Sequence, residues 1–261
     1  MSANEQQGIT RGRQSRGKRT LGLRVLVPAV RNLSRIVFKE RFEGRELIPV
    51  TGPAILVLNH ISVADPIATA SFVYTAGRIP RFLIKDSVFK VPVVGALMSS
   101  ARQIPVSRGS GAAQASLDSA SDALRAGDVI AVYPEGTVTR EPTYWPMKAK
   151  TGIGRLVLQN PDVPVIPVVQ WGAHLAWDYH TKKMHLFPRK ITRIRALPPM
   201  DLTAFRDRTD RNASRELTDH IMLSLQKDVA VLRGEPAPTT LYDAAKAAAQ
   251  QRRAQAADET P

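Results

Sequence analysis

Short apolar runs alternate with segments of helical periodicity from residue 54 onward, and this alternation restricts the chain to few architectures. The runs Ala54–Leu58, 129–133 and 165–170 each have the length of one buried strand. Strands separated by helices are typical of βαβ units. We therefore predict an α/β fold, a single domain with a mostly parallel sheet flanked by helices. The 261 residues suffice to build its core.

Further elements complete this pattern. Helices are predicted at 66–76, 87–100, Ser110–Arg125, Gly152–Gln159 and 211–233, and short strands at 81–85, 103–106 and Lys190–Ala196. Pro105 cannot donate a hydrogen bond to a neighbouring strand, so 103–106 should lie at a sheet edge. Composition divides the chain into a disordered basic arm at 1–20, an amphipathic helix at 21–41, the folded domain at 42–234 with its motifs at 50–175, and a mobile tail at 235–261.

Positive charge is concentrated towards the amino-terminal end. The formal net charge is +14, and residues 1–41 contain ten Lys and Arg against two Glu. Such a segment is either a solvated tail or is attracted to a polyanion, nucleic acid or an anionic lipid surface. Aromatic residues form only 6% of the chain and no helix-turn-helix or zinc pattern is present, so we expect no nucleic-acid partner.

An anionic membrane surface is the preferred partner because of the helix predicted at 21–41. Its apolar residues recur at helical spacing, and Arg24, Arg31 and Arg35 fall largely on another side. Such a helix can lie in a lipid interface or pack on the domain itself. No segment has the roughly 20 apolar residues of a spanning helix, and no signal peptide is recognisable. We expect a peripheral or monotopic protein without a transmembrane span, at the cytoplasmic face of the plasma membrane.

Residue types limit the chemistry. The sequence has no cysteine, which excludes disulfides, thiolate nucleophiles and cysteine-ligated zinc. Four of the five histidines show no spacing typical of metal ligands, namely His174, His180, His185 and His220. We therefore expect no metal site.

The remaining histidine has an acidic neighbour. His60 and Asp65 lie in the string Asn59-His60-Ile61-Ser62-Val63-Ala64-Asp65-Pro66, directly after a predicted strand. If the next helix begins near Asp65, its carboxylate can hold one imidazole nitrogen while the other faces a substrate, as in general base catalysis. Asp65 can equally serve only as a helix cap. Since no Gly-x-Ser-x-Gly elbow is present, a catalytic pair would activate a hydroxyl of the substrate.

Two other strand ends have polar groups. Arg108 follows the strand at 103–106, and a guanidinium there suits phosphate. Gly136 in the turn 134–137 lets a ligand approach backbone amides closely. Taken alone, each is better explained as a surface salt bridge or an ordinary turn. Because the carboxyl ends of parallel strands meet at one edge, we expect both to converge on His60.

Taken together and in this order, the motifs resemble the glycerolipid acyltransferase family, which includes lysophosphatidate and glycerol-3-phosphate acyltransferases. The family's His-x4-Asp block is matched at 59–65, its second block at Gln103-Ile104-Pro105-Val106-Ser107-Arg108, its third at Pro134-Glu135-Gly136-Thr137 and its fourth at Val165-Ile166-Pro167-Val168. Lys150-Thr151-Gly152 resembles the Lys-x-Gly after the third block. The resemblance covers about residues 50–175.

The resemblance implies an O-acyltransferase of the 1-acylglycerol-3-phosphate type, with 42–234 as its acyltransferase domain. It would move a fatty acyl group from acyl-CoA or acyl carrier protein to the free hydroxyl of lysophosphatidate, giving phosphatidate in phospholipid synthesis. His60 would be the general base and Asp65 would orient it. The implied substrate-binding residues are Asn59, Arg108, Glu135, Gly136, Thr137 and Lys150. Acylation of glycerol 3-phosphate or of another lysolipid or glycolipid is the first alternative, and a basic nucleic-acid-binding protein is the less favoured one. No cofactor is expected besides the thioester co-substrate.

Overall fold

The computed structural model describes residues 21–107 and 110–258. Within these residues the chain forms seven strands, β1 (Phe38–Glu43), β2 (Ala54–Leu58), β3 (Pro80–Lys85), β4 (Ile104–Val106), β5 (Val129–Val132), β6 (Val165–Trp171) and β7 (Lys190–Ala196). It also forms eight α-helices, α1 (Leu21–Val37), α2 (Asp65–Thr75), α3 (Asp86–Phe89), α4 (Val94–Ser100), α5 (Ser110–Arg125), α6 (Gly152–Gln159), α7 (Ala213–Arg233) and α8 (Ala244–Asp258).

The seven strands form one sheet in the order β1-β7-β6-β2-β5-β3-β4. Strands β6, β2, β5, β3 and β4 are parallel. Strand β7 is antiparallel to β6 and parallel to β1. The prediction of a mostly parallel sheet is therefore confirmed, and β4 with Pro105 lies at its edge as expected. The five parallel strands end at one side of the sheet, called here the carboxyl edge, and β1 and β7 begin there.

Helices cover both faces of this sheet. Helices α5, α6 and α7 pack on one face against a core that includes Ile55 and Val57 of β2. Helices α1 and α2 cover the other face, where Leu56 and Leu58 are buried. Every residue of β2 is thus buried, which explains why this strand appears in the sequence as an unbroken apolar run. The strand that leads to His60 is central and held on both sides.

The amino-terminal helix is shorter than the predicted 21–41. Helix α1 ends at Val37, and the next six residues form β1, which pairs with β7 along its whole length. Burial in β1 follows the period of two that is expected of a strand, with Phe38 buried and Lys39 exposed. Because several residues of β1 are charged, this alternation was not recognised in the sequence. Residues 1–20, predicted as a disordered basic arm, lie outside the described residues.

Helix α1 packs on the domain and also leaves apolar side chains exposed. Leu23 and Ser34 are buried on its inner face, whereas Val25, Leu33 and Ile36 are exposed. The sequence left open whether this helix packs on the domain or lies in a lipid interface. The two roles are compatible with each other, because its inner and outer residues differ. Among the described residues, no helix is long and apolar enough to span a bilayer.

Two further predicted segments differ from the structure. The helix expected at 87–100 is divided into α3 and α4, because Pro92 lacks an amide hydrogen and Val93 adopts a positive φ of 64°. The tail expected to be mobile from 235 packs on the domain in part. Leu241 is buried in the core, Tyr242 bridges to Met147, and α8 follows. The buried apolar contact of Leu241 explains why this part of the tail is ordered.

Candidate active site

His60 lies in the loop that joins β2 to α2 at the carboxyl edge, and Asp65 is the first residue of α2. The Nδ1 atom of His60 is 2.9 Å from Oδ2 of Asp65. The Asp65 side chain is fully buried, while that of His60 keeps 14% of its surface exposed. The aspartate therefore reaches the imidazole from inside the protein, and the ring is accessible from outside.

Asp65 also organises the backbone of this loop. Its Oδ2 atom accepts hydrogen bonds from the amides of Ile61 at 2.6 Å and Ser62 at 2.8 Å. No side chain caps α2 at its N-cap residue, Ala64. The alternative that Asp65 serves only as a helix cap is thus not what the structure shows. One oxygen fixes both the loop and the imidazole, and this arrangement can orient a general base.

Tyr133, the residue after β5, supports the imidazole from one face. Its ring stacks on that of His60 with 4.2 Å between centroids and 24° between planes. The Tyr133 hydroxyl and Thr69 Oγ1 are hydrogen-bonded at 2.9 Å. Burial raises the pKa of Tyr133 well above its usual value, so the hydroxyl stays neutral. Sequence reasoning missed this residue, although an aromatic residue directly before the turn 134–137 was a usable signal.

Glu135 lies in the turn 134–137 and points inward. Its Oε1 accepts from the amide of His60 at 2.9 Å, and its Oε2 accepts from the amide of Met147 at 3.4 Å. The side chain is buried, and this burial raises the pKa of Glu135 to about 8, although the backbone hydrogen bonds act in the opposite direction. Glu135 therefore braces the His60 loop, and its predicted contact with substrate stays a prediction.

Asn59 is also committed to the interior. It is fully buried, its Nδ2 donates to the carbonyl of Gln170 at 3.0 Å, and its Oδ1 accepts from the amide of Gln170 at 2.9 Å. These bonds join the ends of β2 and β6. Its side chain lies between two central strands, and its predicted contact with substrate stays a prediction.

The other predicted substrate residues differ in their surroundings. Gly136 is exposed, with a φ of 69° and open space at its missing Cβ position, and Thr137 is partly buried. The turn borders the His60 loop, since the amide of Thr139 donates to the His60 carbonyl at 2.7 Å. Lys150 is exposed and forms no hydrogen bond or ion pair with a described residue. Arg108 lies outside the described residues.

An aromatic cluster, which sequence reasoning missed, fixes the loops beside this site. The guanidinium of Arg233, at the end of α7, lies 4.0 Å from the ring centroid of Trp145 and 4.2 Å from that of Trp171. Tyr144 donates from its hydroxyl to Asp178 at 2.7 Å. These contacts tie the segment after the turn 134–137 to the end of β6. Within the described part of the chain, no group of three acidic or histidine residues is arranged to hold a metal ion.

Known proteins with similar sequences include enzymes that, by their names, act on glycerophospholipids. The chain is 31% identical over 153 residues to a 1-acyl-sn-glycerol-3-phosphate acyltransferase of Limnanthes douglasii, covering 57% of this chain and 50% of that protein. It is 27% identical over 128 residues to the N-acylphosphatidylethanolamine synthase of Arabidopsis thaliana, covering 46% and 44%. The chain thus spans about half the length of the curated relatives it matches.

A solved structure has the same fold. The crystal structure of the 1-acyl-sn-glycerophosphate acyltransferase PlsC from Thermotoga maritima superposes with a TM-score of 0.59, covers 82% of each chain and is 19% identical in sequence. At that identity the likeness supports the fold alone. The family model named Acyltransferase matches residues 39–171, just over half of the 261 residues. This match includes β2, the His60 loop and the turn 134–137, and the chain belongs to the acyltransferase family.

Proposed function

We propose that this protein transfers a fatty acyl group from an acyl thioester to the free hydroxyl of lysophosphatidate, giving phosphatidate in phospholipid synthesis. The principal support is the 2.9 Å contact between His60 Nδ1 and the buried carboxylate of Asp65. Membership of the acyltransferase family gives the reaction class. The relatives named as 1-acyl-sn-glycerol-3-phosphate acyltransferases favour lysophosphatidate as the acceptor.

The proposed mechanism is direct transfer. Asp65 holds the proton on Nδ1 of His60, so that the Nε2 lone pair is available to the substrate. Nε2 removes the proton from the acceptor hydroxyl while the hydroxyl oxygen attacks the thioester carbonyl carbon. The carbon–sulfur bond then breaks, an ester forms, and the leaving thiolate takes the proton back from His60. The negative charge of Asp65 stabilises the imidazolium that exists between these steps.

The acceptor phosphate is proposed to bind near the turn 134–137. Gly136 and Thr137 are the candidates there, with Arg108 and Lys150 as cations by resemblance to the family. An Arg108→Ala variant is expected to raise the KM for lysophosphatidate more than it lowers kcat, because a phosphate contact acts mainly on acceptor binding. Steady-state kinetics at varied lysophosphatidate checks this, and an unchanged KM would remove Arg108 from the acceptor site.

The membrane surface is the proposed location of the reaction. The acceptor has a fatty chain held in lipid, and α1 combines exposed Val25, Leu33 and Ile36 with nearby arginines. A basic helix with apolar side chains outward can lie in the headgroup region of an anionic leaflet. The cytoplasmic face of the plasma membrane stays a prediction.

The direct test uses purified protein, labelled acyl-CoA and lysophosphatidate, with phosphatidate as the scored product. Parallel reactions contain glycerol 3-phosphate or lysophosphatidylethanolamine as the acceptor, and acyl carrier protein thioester as the donor. We expect the highest kcat/KM with lysophosphatidate. A higher kcat/KM with another acceptor would replace the proposed substrate, and the absence of acyl transfer with every pair would reject the reaction itself.

A further inference from the structure

The connection between β6 and β7, residues 172–189, has three exposed large apolar side chains. Leu175 is 51% exposed, Met184 50% and Phe187 73%. This connection leaves the sheet where β6 ends and returns where β7 begins, so it lies at the carboxyl edge. The exposed apolar residues are therefore on the same side of the molecule as His60.

The same connection is basic. Lys182, Lys183 and Arg189 are exposed, while its only acidic residue is Asp178. Asp178 is already engaged by the hydroxyls of Tyr144 and Thr181 and by backbone amides. The Nζ atom of Lys182 lies 3.6 Å from the centroid of the Tyr179 ring. Positive charges thus stand among apolar and aromatic side chains, a mixture typical of the boundary between headgroups and acyl chains.

Two contacts place this connection between the candidate active site and α1. The Ser62 hydroxyl, in the His60 loop, donates to the carbonyl of Trp177 at 2.7 Å. At the other end, Nη1 of Arg189 donates to the carbonyl of Arg35, near the end of α1, at 2.8 Å. The exposed side chain of Ile36 is next to Arg35 in α1. The connection therefore joins the exposed residues of α1 to the loop that contains His60.

We propose that the β6–β7 connection is a second lipid-contact surface, which docks on an anionic phospholipid bilayer beside the entrance to His60. Met184, Phe187 and Leu175 enter the boundary region, while Lys182, Lys183 and Arg189 contact anionic headgroups. This inference rests on the proposed function for its biological purpose, since it would place the reacting base at the surface where the acceptor is held. The physical basis is apolar exposure combined with positive charge at one edge.

Vesicle sedimentation tests the surface without any acyl donor. The full chain is mixed with vesicles of phosphatidylcholine alone or of phosphatidylcholine with phosphatidylglycerol. The variant Met184→Ser/Phe187→Ser is expected to bind the anionic vesicles about tenfold more weakly, because two interfacial apolar side chains are lost. The variant Lys182→Gln/Lys183→Gln is expected to lose at least about fivefold, and only with anionic vesicles. Both pairs are exposed, so folding should be unaffected.

Matched controls come from the rest of the molecule. Val50 is 76% exposed and precedes β2 at the opposite edge of the sheet, and Lys227 is exposed on α7. Val50→Ser and Lys227→Gln should bind vesicles like the unmodified chain. The proposal is overturned if the connection variants also sediment like the unmodified chain, if Val50→Ser weakens binding as much as they do, or if the unmodified chain binds RNA in preference to anionic vesicles.

An activity measurement separates this proposal from the proposed function. With short-chain lysophosphatidate dispersed in water, the connection variants should keep their kcat, and with vesicle-held lysophosphatidate they should lose rate about as much as they lose binding. If the protein binds vesicles through this surface but transfers no acyl group, the proposed reaction is rejected and the proposed lipid-contact surface is kept. If the connection variants lose rate equally in both assays, the proposed lipid-contact surface is rejected and the proposed reaction is kept.

Discussion

The start of α2 and the turn after β5 each place one buried carboxylate at the carboxyl edge, yet the two carboxylates have different partners. Asp65 contacts the imidazole of His60 and two backbone amides through a single oxygen. Glu135 accepts hydrogen bonds from the backbone amides of His60 and Met147 and also interacts with the side chain of Thr139. A carboxylate that contacts an imidazole can influence proton transfer at that ring, whereas one bonded to backbone amides chiefly holds the backbone. The same chemical group therefore holds an imidazole in one place and braces the backbone in the other.

This difference also determines which substitution can remove the negative charge while it keeps the hydrogen bonds. Oδ1 of Asp65 is buried and has no hydrogen-bond partner among the described residues. An asparagine can place its oxygen at the position of Oδ2 and keep all three bonds while the charge is lost. Both oxygens of Glu135 accept amide hydrogens, so a glutamine must place its NH₂ group against one of the two donors.

The largest expected effect is that of His60→Ala. Without the base, the rate of acyl transfer should fall about 10³- to 10⁴-fold, the upper part of the range that a general base contributes. Asp65 still holds the amides of the loop, so the melting temperature should stay near that of the unmodified protein. Turnover of labelled acyl-CoA and a circular-dichroism melt check the two statements. Near-normal turnover in the folded variant would exclude His60 as the base.

The next effect separates the two carboxylates. Asp65→Asn should lower kcat about 10²- to 10³-fold with little change in KM, because the imidazolium loses its stabilising charge. Glu135→Gln should lower kcat less than about tenfold and instead reduce the free energy of unfolding by about 1–3 kcal/mol, the cost of one unpaired buried donor. Kinetics and urea denaturation of both variants test this. A kcat loss in Glu135→Gln as large as that in Asp65→Asn would abolish the distinction.

A smaller effect concerns the pH dependence of stability. In the unfolded chain Glu135 ionises near its ordinary value of about 4.5, whereas in the folded protein burial raises its pKa to about 8. The folded state therefore binds the proton more tightly, and the free energy of unfolding should fall as pH rises between these values. Urea denaturation at several pH values should show a flatter dependence for Glu135→Gln. An identical slope in both proteins would mean that Glu135 is ionised in the folded state.

The smallest effect tests the ring that supports the imidazole. Tyr133→Leu removes the stacking on His60 and should lower kcat about tenfold, the cost of roughly 1.4 kcal/mol of lost orientation. Tyr133→Phe keeps the ring and loses only the contacts of the hydroxyl with Thr69 and Gln170, so its kcat should change less than about threefold. A shifted pH profile of kcat would indicate that the imidazole of His60 is positioned differently. An unchanged profile would indicate a general loosening of the fold. If Phe and Leu variants are equally slow, the hydroxyl rather than the stacked ring is what matters.

Local contacts were predictable from the sequence, and long-range contacts were not. His60 and Asp65 are five residues apart, so the sequence could indicate that they meet if the helix begins near Asp65. The bond between Asn59 and Gln170 depends on β6 lying beside β2, and that strand order cannot be read from periodicity. The inward direction of Glu135 is of the same kind, since its partner Met147 belongs to an irregular segment.

The strands show the same division. Strands β2, β5 and β6 are buried on both faces, so continuous apolar runs revealed them. Strand β1 has one exposed face with Lys39, Arg41 and Glu43, and its residues were assigned in part to the preceding helix. The cluster around Arg233 was also invisible in the sequence, because its aromatic partners come from segments far apart in the chain.

The most direct test of the account is a double-mutant cycle of His60→Ala and Asp65→Asn, scored by the rate of phosphatidate formation. If Asp65 acts through the imidazole, removing its charge matters only while His60 is present. The account predicts that the double variant is no slower than His60→Ala alone. Losses that multiply, so that the double variant is slower than His60→Ala by the full factor of Asp65→Asn, would contradict it.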